Sequence, residues 1–316
     1  MHTQFIFASP PFQSCHAATL AETPAGLVMA CFGGSREGHP DVGIWAARQV
    51  DADWLPPVQA AVGIQDGQRF PCWNPVLYQP PGGALLLFYK VGPNPERWWG
   101  MVMDSVDGGQ SWSAPRRLPE GILGPVKNKP LRLADGSLLC PSSSEHNGWQ
   151  VRMECTPDLG QTWEQCVVVG AFQAIQPALL QHASGRLQIL CRSTHGCLVT
   201  SWSQDGGRSW SALEKTELPN PNSGIDALTL TDGRHVLVYN PAGIPSGKWG
   251  GPRTPLVLAV SADGLQWKTA LSLESASGEY SYPALIQSTD ERIHVLYTWQ
   301  RRNIRYVTFN PAELSV

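Results

Sequence analysis

One octapeptide pattern recurs along this chain and limits its fold more than any other feature. Ser105-Val-Asp-Gly-Gly-Gln-Ser-Trp112, Thr156-Pro-Asp-Leu-Gly-Gln-Thr-Trp163 and Ser203-Gln-Asp-Gly-Gly-Arg-Ser-Trp210 share the form S/T-x-D-x-G-x-[ST]-W. A shortened copy ends at Trp267 and a decayed one at Trp54. Trp112 to Trp163, Trp163 to Trp210 and Trp210 to Trp267 span 51, 47 and 57 residues, each about the length of one four-stranded blade. The Asp accepts backbone N–H groups across a turn, Gly supplies a positive φ, and the Trp fills space between sheets. Turn chemistry explains these aspartates, so they are scaffold rather than catalysts.

A second repeat runs in phase with the first. Asn74-Pro-Val-Leu, Lys129-Pro-Leu-Arg-Leu, Gln176-Pro-Ala-Leu, Asp226-Ala-Leu-Thr-Leu, Tyr282-Pro-Ala-Leu-Ile and His16-Ala-Ala-Thr-Leu each precede a short turn and a second apolar run. Six such hairpins predict six blades. Only one further strand, Asn303–Phe309, follows the last hairpin, which leaves the N-terminal Gln4–Phe7 to complete that blade and remove the exposed edges. The expectation is an all-β, six-bladed β-propeller closed by its N-terminal strand, forming a single domain over residues 1–316.

Composition agrees with many tight turns: 31 Gly and 27 Pro accompany a 42% hydrophobic fraction without collagen-like periodicity. The net charge of −3 gives no case for nucleic acid or an anionic membrane as partner. No apolar run is long enough to span a bilayer, and the N-terminus lacks the pattern of a signal peptide. Eight scattered cysteines without a C-x-x-C pair read as buried thiols in a reducing, cytoplasmic compartment. No metal-ligand spacing and no phosphate loop is present, so no cofactor is expected.

Inner strands of a propeller line its axis, so His16, Asn74, Lys129, Gln176, Asp226 and Tyr282 should form one polar ring. Convergent polar groups of such varied chemistry point to a binding site. Loops leaving the second strands add Arg36, Asp41, Lys90, Arg192, Asn240, Arg253 and Arg301, interleaved with Trp98, Trp99, Trp149 and Trp299. Cations beside tryptophan suit a carbohydrate carrying a carboxylate.

With these motifs in place the chain resembles the sialidase (neuraminidase) superfamily, in its bacterial BNR/Asp-box branch, along nearly its whole length. That resemblance implies an Asp acid/base, a Tyr nucleophile paired with a Glu, and three arginines on the sugar carboxylate. Phe32-Gly-Gly-Ser-Arg-Glu-Gly-His-Pro-Asp41 is similar to the acid/base loop. Glu279-Tyr280-Ser-Tyr282-Pro is similar to the nucleophile strand, with Tyr282 favoured and Tyr280 the alternative. Arg253 matches one clamp position. The family's first-strand arginine falls on or near His16 and its middle arginine near Asn240, while Asp226 and Glu279 compete as partner of the Tyr. The implied function is an exo-glycoside hydrolase acting on a terminal acidic sugar. Two alternatives stand beside it: a polysaccharide lyase or other uronate-directed enzyme using His16, and a non-catalytic glycan-binding propeller.

Overall fold

Short apolar runs bounded by Gly and Pro become strands buried on both faces, as expected where sheets pack on sheets. In the computed structural model, which describes residues 1–167 and 172–314, these strands assemble into six antiparallel blades around an axis, with a separate two-stranded hairpin of Gly63–Gln65 and Gln68–Phe70 between the first two. Blade 1 comprises Ser14–Thr23, Gly26–Gly34 and Gly43–Val50, the last pairing with both Asp53–Trp54 and Val58–Ala61. Blade 2 comprises Cys72–Tyr78, Leu85–Val91, Trp99–Ser105 and Arg116–Arg117, and blade 3 comprises Leu131–Arg132, Leu138–Ser144, Gln150–Thr156 and Glu164–Val167. Blade 4 follows with Ala174–Gln181, Leu187–Ser193, Cys197–Ser203 and Glu214–Pro219. Blade 5 holds Asp226–Thr229, His235–Tyr239, Leu256–Ser261 and Lys268–Glu274.

Blade 6 contains Tyr280–Gln287, Ile293–Trp299 and Asn303–Phe309, and its outer strand is the N-terminal His2–Phe5. The closing strand starts two residues earlier than the sequence suggests. It pairs from His2 opposite Thr308 to Phe5 opposite Arg305, which leaves Ile6 and Phe7 to enter the core.

Hydrophobic clusters occupy the seams between blades. Leu87 and Tyr89 of blade 2 pack with Val28 and Ile44 of blade 1, and Phe88 with Leu138 of blade 3. Leu139 packs with Ile189 between blades 3 and 4, and Leu190 with Leu237 between blades 4 and 5. Val238 meets Val295 in the next seam, while Met29 meets Leu296 where the ring closes. Each fully buried side chain of this kind contributes roughly 1.5–3 kcal/mol.

The octapeptides are the turns between third and fourth strands. Asp107 Oδ1 accepts N–H groups from Gln110 and Ser111 at 3.0 and 2.9 Å, and the Ser105 hydroxyl at 2.7 Å. Trp163 and Trp210 each donate Nε1 to a glycine carbonyl of their own turn, Gly160 at 3.1 Å and Gly207 at 2.9 Å. The Trp163 ring meets Phe88 of the preceding blade edge-on at 6.1 Å. Blade 1 lacks this turn. Asp51 and Ala52, both at positive φ, make a tight hairpin to Trp54 instead.

These turns point away from the face reached by the loops between second and third strands. The seven cysteines whose side chains are described are free thiols. Among the described residues, no helix is long and apolar enough to cross a membrane.

The turn aspartates generate a testable acid dependence. The Ser209 hydroxyl, then the Ser209 N–H and the Ser203 hydroxyl, hold Asp205 at about 2. The Thr162 N–H group similarly lowers Asp158, and the Ser111 hydroxyl lowers Asp107. A depressed carboxyl stabilises the fold above its unfolded value, about 4, and loses that effect as pH falls through the folded value. The melting temperature should therefore drop between about pH 4 and pH 2. In the triple variant Asp107→Asn, Asp158→Asn, Asp205→Asn that drop should be shallower, as followed by circular dichroism.

Candidate functional site

Four blades break the register of their inner hairpin. The breaks fall between His16 and Thr19, between Ile175 and Ala178, between Ser281 and Ala284, and in blade 2 opposite Phe88–Lys90. At each break one residue takes a left-handed backbone: Ala17 (φ 54°), Asn74 (38°), Gln176 (58°) and Tyr282 (53°). A bulge of this kind re-aims side chains. Asn74, Gln176 and Tyr282 also precede proline, where extended backbone is ordinary, so the surrounding packing holds them there.

Tyr282 is the centre of the resulting cluster. Its hydroxyl receives Arg192 Nη1 at 2.7 Å and Gln176 Nε2 at 3.3 Å. Its ring lies 4.1 Å, centroid to centroid, from the His16 imidazole. The guanidinium carbons of Arg192 and Arg253 stand 5.9 and 5.7 Å from its ring centre.

Arg192, at the end of the second strand of blade 4, is only 3% exposed. Its Nε donates to Asn222 Oδ1 at 2.9 Å, and the Trp149 and Trp249 rings flank it at 5.3 and 5.9 Å. The two indoles meet edge-on at 5.7 Å. No carboxylate of the described residues pairs with Arg192. Glu145 feels its charge, but burial still raises the Glu145 pKa, and that carboxylate accepts Trp149 Nε1 at 2.9 Å.

Arg253 and Arg301 are balanced differently. Both donate to Glu279 Oε1, at 2.8 and 2.9 Å, and Arg301 also binds Glu37. His16 is 1% exposed. Its Nδ1 shares a hydrogen bond with Thr298 Oγ1 at 2.8 Å, and its Nε2 is buried without a partner. Burial first, then the charges of Arg301, Arg253, Arg192 and Lys127, push the imidazole well below its ordinary pKa. It is therefore neutral at neutral pH.

The remaining candidates lie at different distances from this centre. Asp41 sits in the loop after the second strand of blade 1, with 42% side-chain exposure. Burial opposes its ionisation, but His39 at 2.9 Å and the Ser35 N–H and hydroxyl prevail and keep its pKa low. Arg36 in the same loop is exposed. Asn74 is buried on its bulge. Lys129 and Asp226 pair with each other at 2.9 Å, and the second acceptor role of Asp226 is structural: it takes Ala227 N–H at 2.9 Å and Leu285 N–H at 2.8 Å.

Three residues stand apart from the roles read in the sequence. Lys90 does not line the mouth: it is fully buried, its amine on the Pro125 carbonyl at 2.8 Å. Burial takes that amine down to about 7 against the pull of Glu154 in the adjoining blade. Asn240 ties blades 5 and 6 through the Pro255 and Tyr280 carbonyls at 2.9 and 3.0 Å. Tyr280 packs into the cluster between those blades, 2% exposed. The hydroxyl of Tyr282 meets an amide and a guanidinium, where the resemblance implies a carboxylate.

Lys127, Asn222, Trp149 with Trp249, and the Arg192–Tyr282 contact were not singled out in the sequence as a cluster. The run Lys127-Asn-Lys129-Pro130 held the signal for Lys127, but the repeat phase selects the lysine before proline. Among the described residues, no group of three or more His, Cys, Asp or Glu is placed to hold a metal ion.

Solved structures share this architecture. An intramolecular trans-sialidase from Ruminococcus gnavus superposes with a TM-score of 0.78 at 14% identity, covering 99% of this chain and 98% of that one. The NanB sialidase from Streptococcus pneumoniae gives 0.77 at 13%, covering 99% and 71%. A protein of unknown function from Dyadobacter fermentans DSM 18053 gives 0.77 at 17%, covering 98% and 97%. Identities this low speak for the fold alone. No curated protein sequence matches the chain. A family model described as a BNR repeat-like domain matches residues 25–295, and the chain accordingly belongs to that family.

Proposed function

We propose that this protein is a glycoside hydrolase that removes a terminal acidic sugar from a glycan. One observation carries the reading: a buried arginine without a carboxylate partner, Arg192, is aimed at the hydroxyl of an axial tyrosine. Leaving a buried charge unpaired is unfavourable, so a ligand carboxylate arriving there is strongly favoured. Arg192 Nη1 and Nε already hold neutral partners. No described residue takes its Nη2, which leaves that group for the ligand. Trp149 and Trp249 beside it offer apolar faces to the C–H side of a sugar ring.

In this reading Asp41 protonates the leaving glycosidic oxygen as the C–O bond breaks. Covering it with a sugar removes its water and raises its proton affinity. Tyr282 Oη bonds to the anomeric carbon and its proton passes by way of water to Glu279, the carboxylate that Arg253 and Arg301 hold. Water then hydrolyses the glycosyl–tyrosine bond, with Asp41 acting as base. Tyr282 suits an anionic substrate because a neutral phenol does not repel its carboxylate.

A second reading, elimination on a uronate, is favoured by the neutral His16 and by Gln176 at the Tyr282 hydroxyl. His16 Nε2 would take the proton beside the carboxylate. Tyr282 would give its own proton to the departing oxygen as the new C=C bond forms.

Fluorogenic sialosides and uronosides separate these outcomes from simple binding. Hydrolysis of one of them, lost by at least about a hundredfold in Tyr282→Phe, is expected; undiminished turnover removes Tyr282 from the mechanism. Under the hydrolase reading, Gln176→Glu places a base at the phenol and should raise turnover. Absorbance of an unsaturated uronate product, abolished by His16→Ala, would instead establish elimination. Calorimetry with glucuronate and sialic acid should show Arg192→Leu weakening binding by about 1.5–3 kcal/mol, with no change for a neutral sugar. Equal loss for both would deny Arg192 its role.

A further inference from the structure

The bulge that presents Tyr282 leaves backbone groups without strand partners. Pairing with the second strand of blade 6 stops at Ser281 and resumes at Ala284, yet buried carbonyl and N–H groups require partners. Side chains from outside the blade take the Pro283 carbonyl inside this gap and the Leu285 N–H just beyond it. Lys127, on the segment leading into blade 3, sends its amine to the carbonyl of Pro283 and to the carbonyl of Ile225 in the approach to blade 5. Asn128 Oδ1 is its third acceptor, at 2.9 Å. Asp226, held by Lys129, takes the Leu285 N–H at 2.8 Å.

Lys127 is itself left-handed (φ 75°) and 3% exposed. A lysine amine has three N–H groups, and three acceptors surround this one. Its contacts therefore join segments of blades 3, 5 and 6 immediately behind the candidate reacting phenol.

We propose that Lys127 is a positioning residue that fixes Tyr282 by anchoring the Pro283 carbonyl from another blade. The proposal rests on Tyr282 being the reacting group, and it serves hydrolysis and elimination alike. Without the anchor, the Tyr282–Pro283 peptide can rotate out of the bulge and carry the hydroxyl away from Arg192. Burial takes the amine down to about 7, with Asp226 opposing this and Lys129 and Arg192 reinforcing it. His16 also faces this charge, but it is neutral throughout that range. Above about pH 7 one of the three acceptors therefore loses its donor.

The test uses the full chain labelled with 3-fluorotyrosine, the Tyr282 signal being assigned by its absence in Tyr282→Phe. In the unsubstituted protein the ¹⁹F signal of Tyr282 should shift with a midpoint near pH 7. Lys127→Met should displace that signal and abolish the step, while the Tyr78 and Tyr306 signals stay in place. Lys127→Gln, which keeps an N–H donor, should restore the position without the pH step. On whichever fluorogenic sialoside or uronoside is turned over, Lys127→Met should lower kcat about tenfold or more with KM little changed. An unmoved Tyr282 signal in Lys127→Met overturns the proposal. So does a general shift of all tyrosine signals in Lys127→Gln, which marks a purely structural role. If neither probe is turned over, the hydrolase reading fails while the fluorine signal still decides the role of Lys127.

Discussion

The bulge in the inner strands is the constraint on which the rest of this molecule depends. A regular strand alternates its side chains between two blade seams, and none would face the axis in the way Tyr282 and Gln176 do. One left-handed residue per inner hairpin breaks that alternation in blades 1, 2, 4 and 6. A non-glycine residue in this region is held at an energetic disadvantage of order 1–3 kcal/mol. The seams that flank it are lined by buried apolar side chains, and in blade 6 the Pro283 carbonyl inside the break is taken by Lys127.

Charge at the axis follows from the same geometry. Glu279 balances Arg253 and Arg301, and Asp226 balances Lys129, so these pairs are internally satisfied. Arg192 and Lys127 are the exceptions, with neutral oxygens around each. The resemblance counted one arginine in a matching position, whereas the folded chain brings Arg192, Arg253 and Arg301 close enough to depress His16 together. Three arginines thus face the axis, Arg253 at the matching position and Arg192 and Arg301 at others, with His16 and Gln176 standing among them.

Much of this was legible in the sequence because repetition carries phase. The six inner hairpins set the blade count, and the polar residue before each apolar run placed His16, Gln176 and Tyr282 on the inner strands. Two kinds of feature were hidden. Long-range pairings such as Lys129 with Asp226, 97 residues apart, leave no local pattern, so Asp226 reads as a free carboxylate until its partner is seen. Depth is hidden as well: Lys90 follows an apolar strand toward the mouth, yet it lies two residues after Phe88 on the same face of a regular strand, so its amine enters the seam toward blade 3. Lys127 was concealed by the prolines, since Lys129 occupies the pre-proline position that blades 2, 4 and 6 also use.

The direct test of the account is a crystal structure of the protein soaked with a sugar acid such as glucuronate or sialic acid. The account predicts the sugar carboxylate on Arg192, the ring against Trp149 or Trp249, and the anomeric carbon within reach of the Tyr282 hydroxyl. A sugar bound elsewhere, with the axis unchanged and Arg192 holding only Tyr282, Gln176 and Asn222, would contradict it.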